Sequence, residues 1–270
     1  MSPEGEALLR LSFFAGAFVV LAAAEAAWPR RARSFGRLQR WATNIGLSAL
    51  NTLLLRLSYF VVPALGVIAA LYAEAWGWGL MPLIGVRGWA AAILGFLILD
   101  LAVYGQHVAM HLVPPLWRLH RVHHADPDFD FTTGIRFHPL EIVVSQAWKI
   151  VVVLVAGAPA VAVLAFEIAL NATSMFNHSN LNLPPAVDGV LRRIVVTPDM
   201  HRVHHSTSLE ELDTNFGFNL SLWDRLFRTY RAQPAHDHTT MPIGLPSYHD
   251  EAATGFFWVL RFPFGRGPEA

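Results

Sequence analysis

The sequence predicts an all-α fold: an integral-membrane helical bundle of about four to five membrane helices, under a cytosolic helical cap that holds a histidine-rich di-metal site. Three observations carry that prediction. The 270-residue chain is 54% hydrophobic and only 15% charged, too oily for an ordinary soluble domain of this length. Its apolar residues gather in stretches long enough to cross a bilayer. Between and after those stretches come the histidines, with the pentad HRVHH written twice, at 120–124 and 201–205. The formal net charge of zero leaves no basic surplus for phosphates, so nucleic acid is not an expected partner. With no cysteine there is no disulfide, thiolate metal site or cysteine nucleophile, and any metal must bind nitrogen or oxygen.

The first stretch, MSPEGEALLRLSFFAGAFVVLAAAEAAW, carries Glu4 and Glu6 before its apolar run. Arg30, Arg31, Arg33, Arg37 and Arg40 come after it. That order fits a retained span with its C-terminal end in the cytoplasm rather than a cleaved signal peptide. Residues 42–73 exceed one span, carry Arg56 and contain Pro63, so a single kinked crossing is expected. Residues 89–106 form a span that runs into the histidine region. Residues 141–157 and 159–177, split at Gly157, Ala158 and Pro159, read as a helical hairpin. With the N-terminus outside, these crossings put every histidine on the arginine-rich cytoplasmic face. A re-entrant 42–73 would invert the later sides but keep the histidines together. The whole chain, 1–270, reads as one membrane-embedded domain. Residues 1–88 supply N-terminal membrane helices, 89–245 the region that bears the chemistry, and 246–270 a tail. Trp28, Trp41, Trp76 and Trp89 lie at span ends and look like an aromatic belt.

Nine histidines reach that face from four places. HVAMH puts His107 and His111 on one helix face, and the two pentads contribute His120, His123 and His124, then His201, His204 and His205. His178, in FNHSN, arrives at the end of the returning hairpin helix. Imidazole suits zinc, copper, iron and nickel, and nine ligands exceed the needs of one ion, so two metals sharing the set is the economical reading. HVAMH lacks the glutamate of a metalloprotease HExxH. Thiol-free histidine coordination fits non-haem iron and oxygen chemistry, with zinc left open by ligand type alone.

The motifs HVAMH, HRVHH and HRVHH, in that order and at these gaps, resemble the three histidine boxes of the fatty acid hydroxylase/sterol desaturase superfamily. The resemblance continues through RFHPLE, FNHSN, TPDMHRVHH and TNFGFNLSLWDRLFRTY, covers about residues 89–245, and leans towards the alkylglycerol monooxygenase branch. It implies a membrane di-iron enzyme that uses dioxygen to hydroxylate or desaturate a lipid such as a fatty acyl or sterol-like substrate. By position, the eight box histidines would be metal ligands and His178 the additional ligand between boxes. The chain carries no HPGG haem motif and no flavin or nicotinamide fingerprint. Electrons must then come from a separate reductase or carrier, ferredoxin-like, cytochrome b5-like or a pterin. A bacterial member would sit in the inner membrane. Two alternatives from other classes are a zinc-dependent membrane hydrolase and a histidine-rich metal carrier. Sparse mid-span polar residues, chiefly Arg56, Asp100 and Glu167, argue against transport.

Ligating imidazoles need partners for their second N–H. Asp126, Asp128, Asp130, Glu141, Asp199 and Asp213 are the candidates, with two of the three acids of ADPDFD expected to be helix or turn caps. His138 reads equally as a support of the site or as a structural hydrogen-bonder. Asn177, Asn180 and Asn215 are expected to cap helix ends. Trp223, Asp224 and Arg225 read as an interfacial aromatic beside an ion pair. His236, His238 and His249 fall in the tail as expected spectators.

Overall fold

A computed structural model of the chain describes residues 2–58, 66–248 and 250–265. Among the described residues the regular structure is helical and no β-strand forms. The chain opens with α1 (Pro3–Ala27), α2 (Arg37–Ser58), α3 (Gly66–Trp76), the single turn α4 (Leu80–Leu83) and α5 (Gly88–Leu112). The short α6 (Pro114–His124) leads to the hairpin of α7 (Pro139–Ala156) and α8 (Ala160–Asn177). Short helices follow: α9 (Pro185–Leu191), α10 (Pro198–His204), α11 (Leu209–Leu212), α12 (Leu222–Leu226) and α13 (Phe256–Arg261).

Their ends follow local chemistry. Ser2 caps α1 by accepting from the Gly5 N–H at 3.1 Å, with Glu4 and Glu6 in the positive first turn. Prolines open α6, α7, α9 and α10 at positions where a missing N–H costs nothing. Gly157, at φ 67°, stops α7 in the left-handed conformation and turns the chain into α8.

Four helices are long and apolar enough to cross a membrane: Glu4–Ala27 within α1, then α5, α7 and α8. α5, α7 and α8 pack with α3 around Leu99, Val153 and Phe166, all fully buried, while α1 packs through Leu21 in a separate cluster with Met175 of α8. Because lipid is as apolar as these side chains, close packing rather than water exclusion stabilises this contact. Gly79 shows how close: at φ 111°, a Cβ there would stand 2.3 Å from the Gly157 nitrogen. One set of charges in the spans is neutralised internally. Arg10 binds Glu6 at 2.9 Å and Glu167 at 2.6 Å, and Lys149 also pairs with Glu167, tying α1, α7 and α8 together.

Residues 42–73, expected as one kinked crossing, contribute to α2 and to α3, and among the described residues neither meets the length and apolarity of a span. Pro63, the expected kink, lies outside the described residues. The reason α2 differs is polar: Arg40, Asn44 and Asn51 are buried on it and serve the histidine end. Arg40, one of the arginines read as marking the cytoplasmic side, has a fully buried side chain whose guanidinium donates to Asp126 at 2.7 and 2.8 Å and to Asp130 at 2.6 Å. Of the acids of ADPDFD none caps a helix, but Asp130 caps a turn by accepting from the Thr132 N–H at 2.9 Å; Asp126 and Asp130 also bind Arg40, and Asp128 accepts from the Ser34 and Phe35 N–H groups. Trp28, Trp76 and Trp89 are exposed, whereas Trp41 packs edge-on against Phe18 and Phe131 and donates to Asp130.

Candidate metal centre

One stripe of α5 carries Asp100, Tyr104, His107 and His111, spaced by four, three and four residues so that all project the same way. α6 brings His120, His123 and His124 beneath it, α10 brings His201 and His204, and His205 and His178 follow the ends of α10 and α8. All nine histidines expected as ligands converge, in two groups whose ligand atoms lie within 4.8 Å of one another. The first holds His107, His111, His120, His124 and His204; the second holds His123, His178, His201 and His205. Each pentad serves both groups. His120 and His124 join the first and His123 the second, while His201 and His205 join the second and His204 the first. The two copies exchange roles, which is why the pentad occurs twice.

Hydrogen bonds fix the tautomers. The Nδ1–H of His107 donates to the Phe216 carbonyl at 2.7 Å and that of His120 to Glu141 at 2.7 Å. His204 donates to the Thr214 carbonyl at 2.8 Å, His178 to the Ser174 carbonyl at 2.7 Å and His111 to Asp213 at 3.2 Å. Each of these rings keeps a bare lone pair on Nε2. Yet the Nε2 atoms of His107 and His120 face each other at 3.0 Å. The His178 Nε2 has those of His123, His201 and His205 at 3.0, 3.1 and 3.1 Å. Two lone pairs cannot hydrogen-bond, and one lone pair cannot accept from three neighbours. Nε2 of His111 and His204 is buried with no partner at all. A cation within each group resolves every one of these conflicts, so the donor set fits two metal ions. Nitrogens about 2.1 Å from one ion and at right angles stand about 3.0 Å apart, which is the spacing seen.

Burial favours the neutral, metal-binding form of the six histidines outside the spans that it perturbs. It pushes His178 down to about 3, and drives His123, His124, His201, His204 and His205 well below the usual histidine range, with neighbouring histidines adding to the effect. Phe137 stacks on His123 with ring centres 4.7 Å apart and planes 7° off parallel.

The loop 213–218 supplies three of the five tautomer-fixing acceptors, and α12 holds that loop. Asp224, fully buried, accepts from the Phe216 and Gly217 N–H groups at 2.8 and 3.0 Å and from the Thr229 hydroxyl at 2.8 Å. Trp223 donates from Nε1 to Asp100 at 2.8 Å, and Arg225 stacks on Tyr230. The expected ion pair at Trp223, Asp224 and Arg225 is thus a buried clamp, with Asp224 facing backbone amides. The three asparagines are likewise loop ties rather than caps. Asn177 donates to the Phe218 carbonyl, Asn180 bonds both backbone groups of Arg31, and Asn215, at φ 52°, joins Met200 to Arg231. His138 caps α7 by accepting from Leu140 N–H and stands in neither group. Of the candidate acids, Glu141 and Asp213 meet histidines, while Asp199 binds Arg30 and Arg202. His238, an expected spectator, is buried with Nε2 3.8 Å from Asp199; His236 is exposed, and His249 lies outside the described residues. The carbonyls of Thr214 and Phe216 were not legible beforehand, because a backbone acceptor leaves no mark in side-chain identity.

Residues 92–229, half of the chain and the part that holds all nine histidines, match the fatty acid hydroxylase family. The chain belongs to that family. Among its relatives is the ornithine lipid hydroxylase OlsE of Rhizobium tropici, 31% identical over 174 residues, which are 64% of this chain and 50% of that protein. Alkylglycerol monooxygenase of Homo sapiens is 32% identical over 148 residues, 54% of this chain and 31% of the relative. The Xenopus tropicalis enzyme of that name is 33% identical over 140 residues, 51% of this chain and 30% of the relative. The chain therefore spans half or less of the length of these curated relatives. No solved structure matches it.

Of the two carboxylates that meet histidines, Glu141 is the buried one. Glu141→Gln should weaken metal retention about 10–100-fold, because an amide orients the His120 ring less firmly and no longer raises its basicity. Competition against a chelator of known affinity checks this, with the unfolding midpoint expected to move little.

Proposed function

We propose that the chain is a membrane-embedded, non-haem di-iron oxidoreductase that uses dioxygen to hydroxylate a C–H bond of a lipid. The observation that carries this reading is the pair of histidine groups, five and four strong, whose bare Nε2 lone pairs point at common centres. The relatives, an ornithine lipid hydroxylase and an alkylglycerol monooxygenase, favour hydroxylation over desaturation and over metal transport. The nine histidines are the proposed ligands. An iron pair bound there would supply the redox chemistry by which one oxygen atom enters the C–H bond and the other leaves as water, with electrons and protons from an external donor.

The chain's own residues do the rest. Glu141, Asp213 and the carbonyls of Thr214, Phe216 and Ser174 hold five imidazoles in one tautomer and one orientation. Phe137, Phe216 and Phe218 pack against the rings and exclude water from their faces. A cytoplasmic side for the site is supported by the positions of Arg30, Arg31 and Arg33, which follow α1 at the histidine end, where the Arg30 N–H bonds the Asn180 carbonyl. A separate reductase or carrier reaches it from there. The test is turnover of a lipid pool under isotopically labelled dioxygen: label in a lipid hydroxyl group supports the reading. Lipid cleavage without oxygen consumption would instead mark a zinc hydrolase.

Metal removal gives a signed prediction. In the stripped chain, His178 titrates near 3 against about 6.5 when unfolded. The unfolded chain then binds more protons between those values, so stability holds above about pH 6.5 and falls as pH drops below it, by about 1.4 kcal/mol per pH unit for each such histidine. Loaded protein should resist acid further, until protons displace the metal. Unfolding midpoints of stripped and loaded protein from pH 8 to pH 4, as a suggested range of about four units, check both statements.

A further inference from the structure

One surface beside the metal centre is left unexplained by it. The chain just after α9 is tied to α12: the Ser221 N–H donates to the Ile194 carbonyl at 3.1 Å, and Arg225 donates to the Arg192 carbonyl at 2.8 Å. Their outward faces present Val190, Ile194, Leu222, Leu226 and Phe227, each about half exposed or more. Around these stand Arg193, Arg225 and Arg228, all exposed and, among the described residues, in no ion pair. A cluster of large apolar side chains rimmed by guanidinium groups is not an ordinary solvated surface.

Its depth is set by α5. Trp223 reaches Asp100 at 2.8 Å, and Phe227 stacks on Tyr104 with ring centres 5.4 Å apart. Asp100 and Tyr104 lie inside the α5 span, seven and three residues before His107, or about 10 and 5 Å along the helix. A short helix fastened to a span at that level, with apolar residues outward, faces lipid and not water. Arginines on such a lip extend back to the level of the phosphates.

We propose that the α9–α12 lip is seated in the headgroup layer of the leaflet next to the histidine centre, where Arg193, Arg225 and Arg228 bind anionic phospholipid. The lip thereby anchors the loop that α12 clamps, and with it the acceptors of His107, His111 and His204. An acidic carrier protein is the competing occupant. The depth of Phe227 disfavours it, since a protein docking from water would have to reach below His107.

The chain has no cysteine, so single cysteines can be placed and spin-labelled without removing any. Full-length protein carrying Leu226→Cys, Val190→Cys or, as a control on an exposed loop, Asp237→Cys is reconstituted in nanodiscs of phosphatidylcholine with phosphatidylglycerol. Labels at Leu226 and Val190 should collide more with dissolved oxygen than with a water-soluble nickel chelate, and the control should show the reverse. Labels as open to the chelate as Asp237→Cys, or shielded only when an acidic carrier is added, would overturn the proposal. Replacing Arg193 and Arg228 by Gln should lower the preference for phosphatidylglycerol about five-fold per arginine. An unchanged preference would overturn the assignment of the arginines. None of these readouts depends on metal or turnover.

Discussion

Arg40→Met is expected to destabilise the folded chain by about 3–5 kcal/mol. Its guanidinium is fully buried and makes three charge-assisted hydrogen bonds to Asp126 and Asp130, with Asn44 and Thr133 completing the shell around Asp126. Arg40 holds Asp126 down at about 2 despite complete burial. Without the cation, two carboxylates remain close together away from water, and one must take up a proton or the segment must open. Chemical unfolding in mild detergent measures the loss. Adding Asp126→Asn and Asp130→Asn to Arg40→Met should recover part of it, because the penalty belongs to the stranded charges. A triple variant no more stable than Arg40→Met would show that the pair matters through shape alone.

The second large effect concerns the smaller histidine group. His178→Ala should lower metal content from two ions per chain toward one and abolish oxygen-dependent lipid oxidation. The His178 Nε2 is the common neighbour of the other three nitrogens in its group, so no three-histidine remnant keeps the same centre. Among the five of the first group, His124→Ala should be milder in metal retention, since four donors remain there. Metal analysis of each variant against protein concentration decides the order. Equal loss of both ions from either substitution would mean that the groups bind as one unit.

Much of this centre was legible because metal ligands must be particular side chains at particular helical spacings. HVAMH and the two HRVHH pentads announced eight converging imidazoles, and FNHSN a ninth. Their division was not legible. Residues i, i+3 and i+4 of a helix look like one face, yet His123 and His204 each point to the group opposite their neighbours. The four long spans were visible for the same reason, as uninterrupted apolar runs. The part that was hidden is long-range and polar. Arg40 looks like any arginine after a span, and nothing near it in sequence names Asp126 and Asp130 as partners 86 and 90 residues away. Asp224 and the carbonyls of Thr214 and Phe216 act through backbone geometry, which only the folded loop displays.

Direct metal analysis of the protein, purified in detergent without added metal and combined with Mössbauer spectroscopy, tests the central claim most plainly. The account predicts two irons per chain in mutually interacting, nitrogen-rich sites. A fully folded chain saturated by a single ion, or holding zinc with no iron while remaining active on lipid, would contradict it.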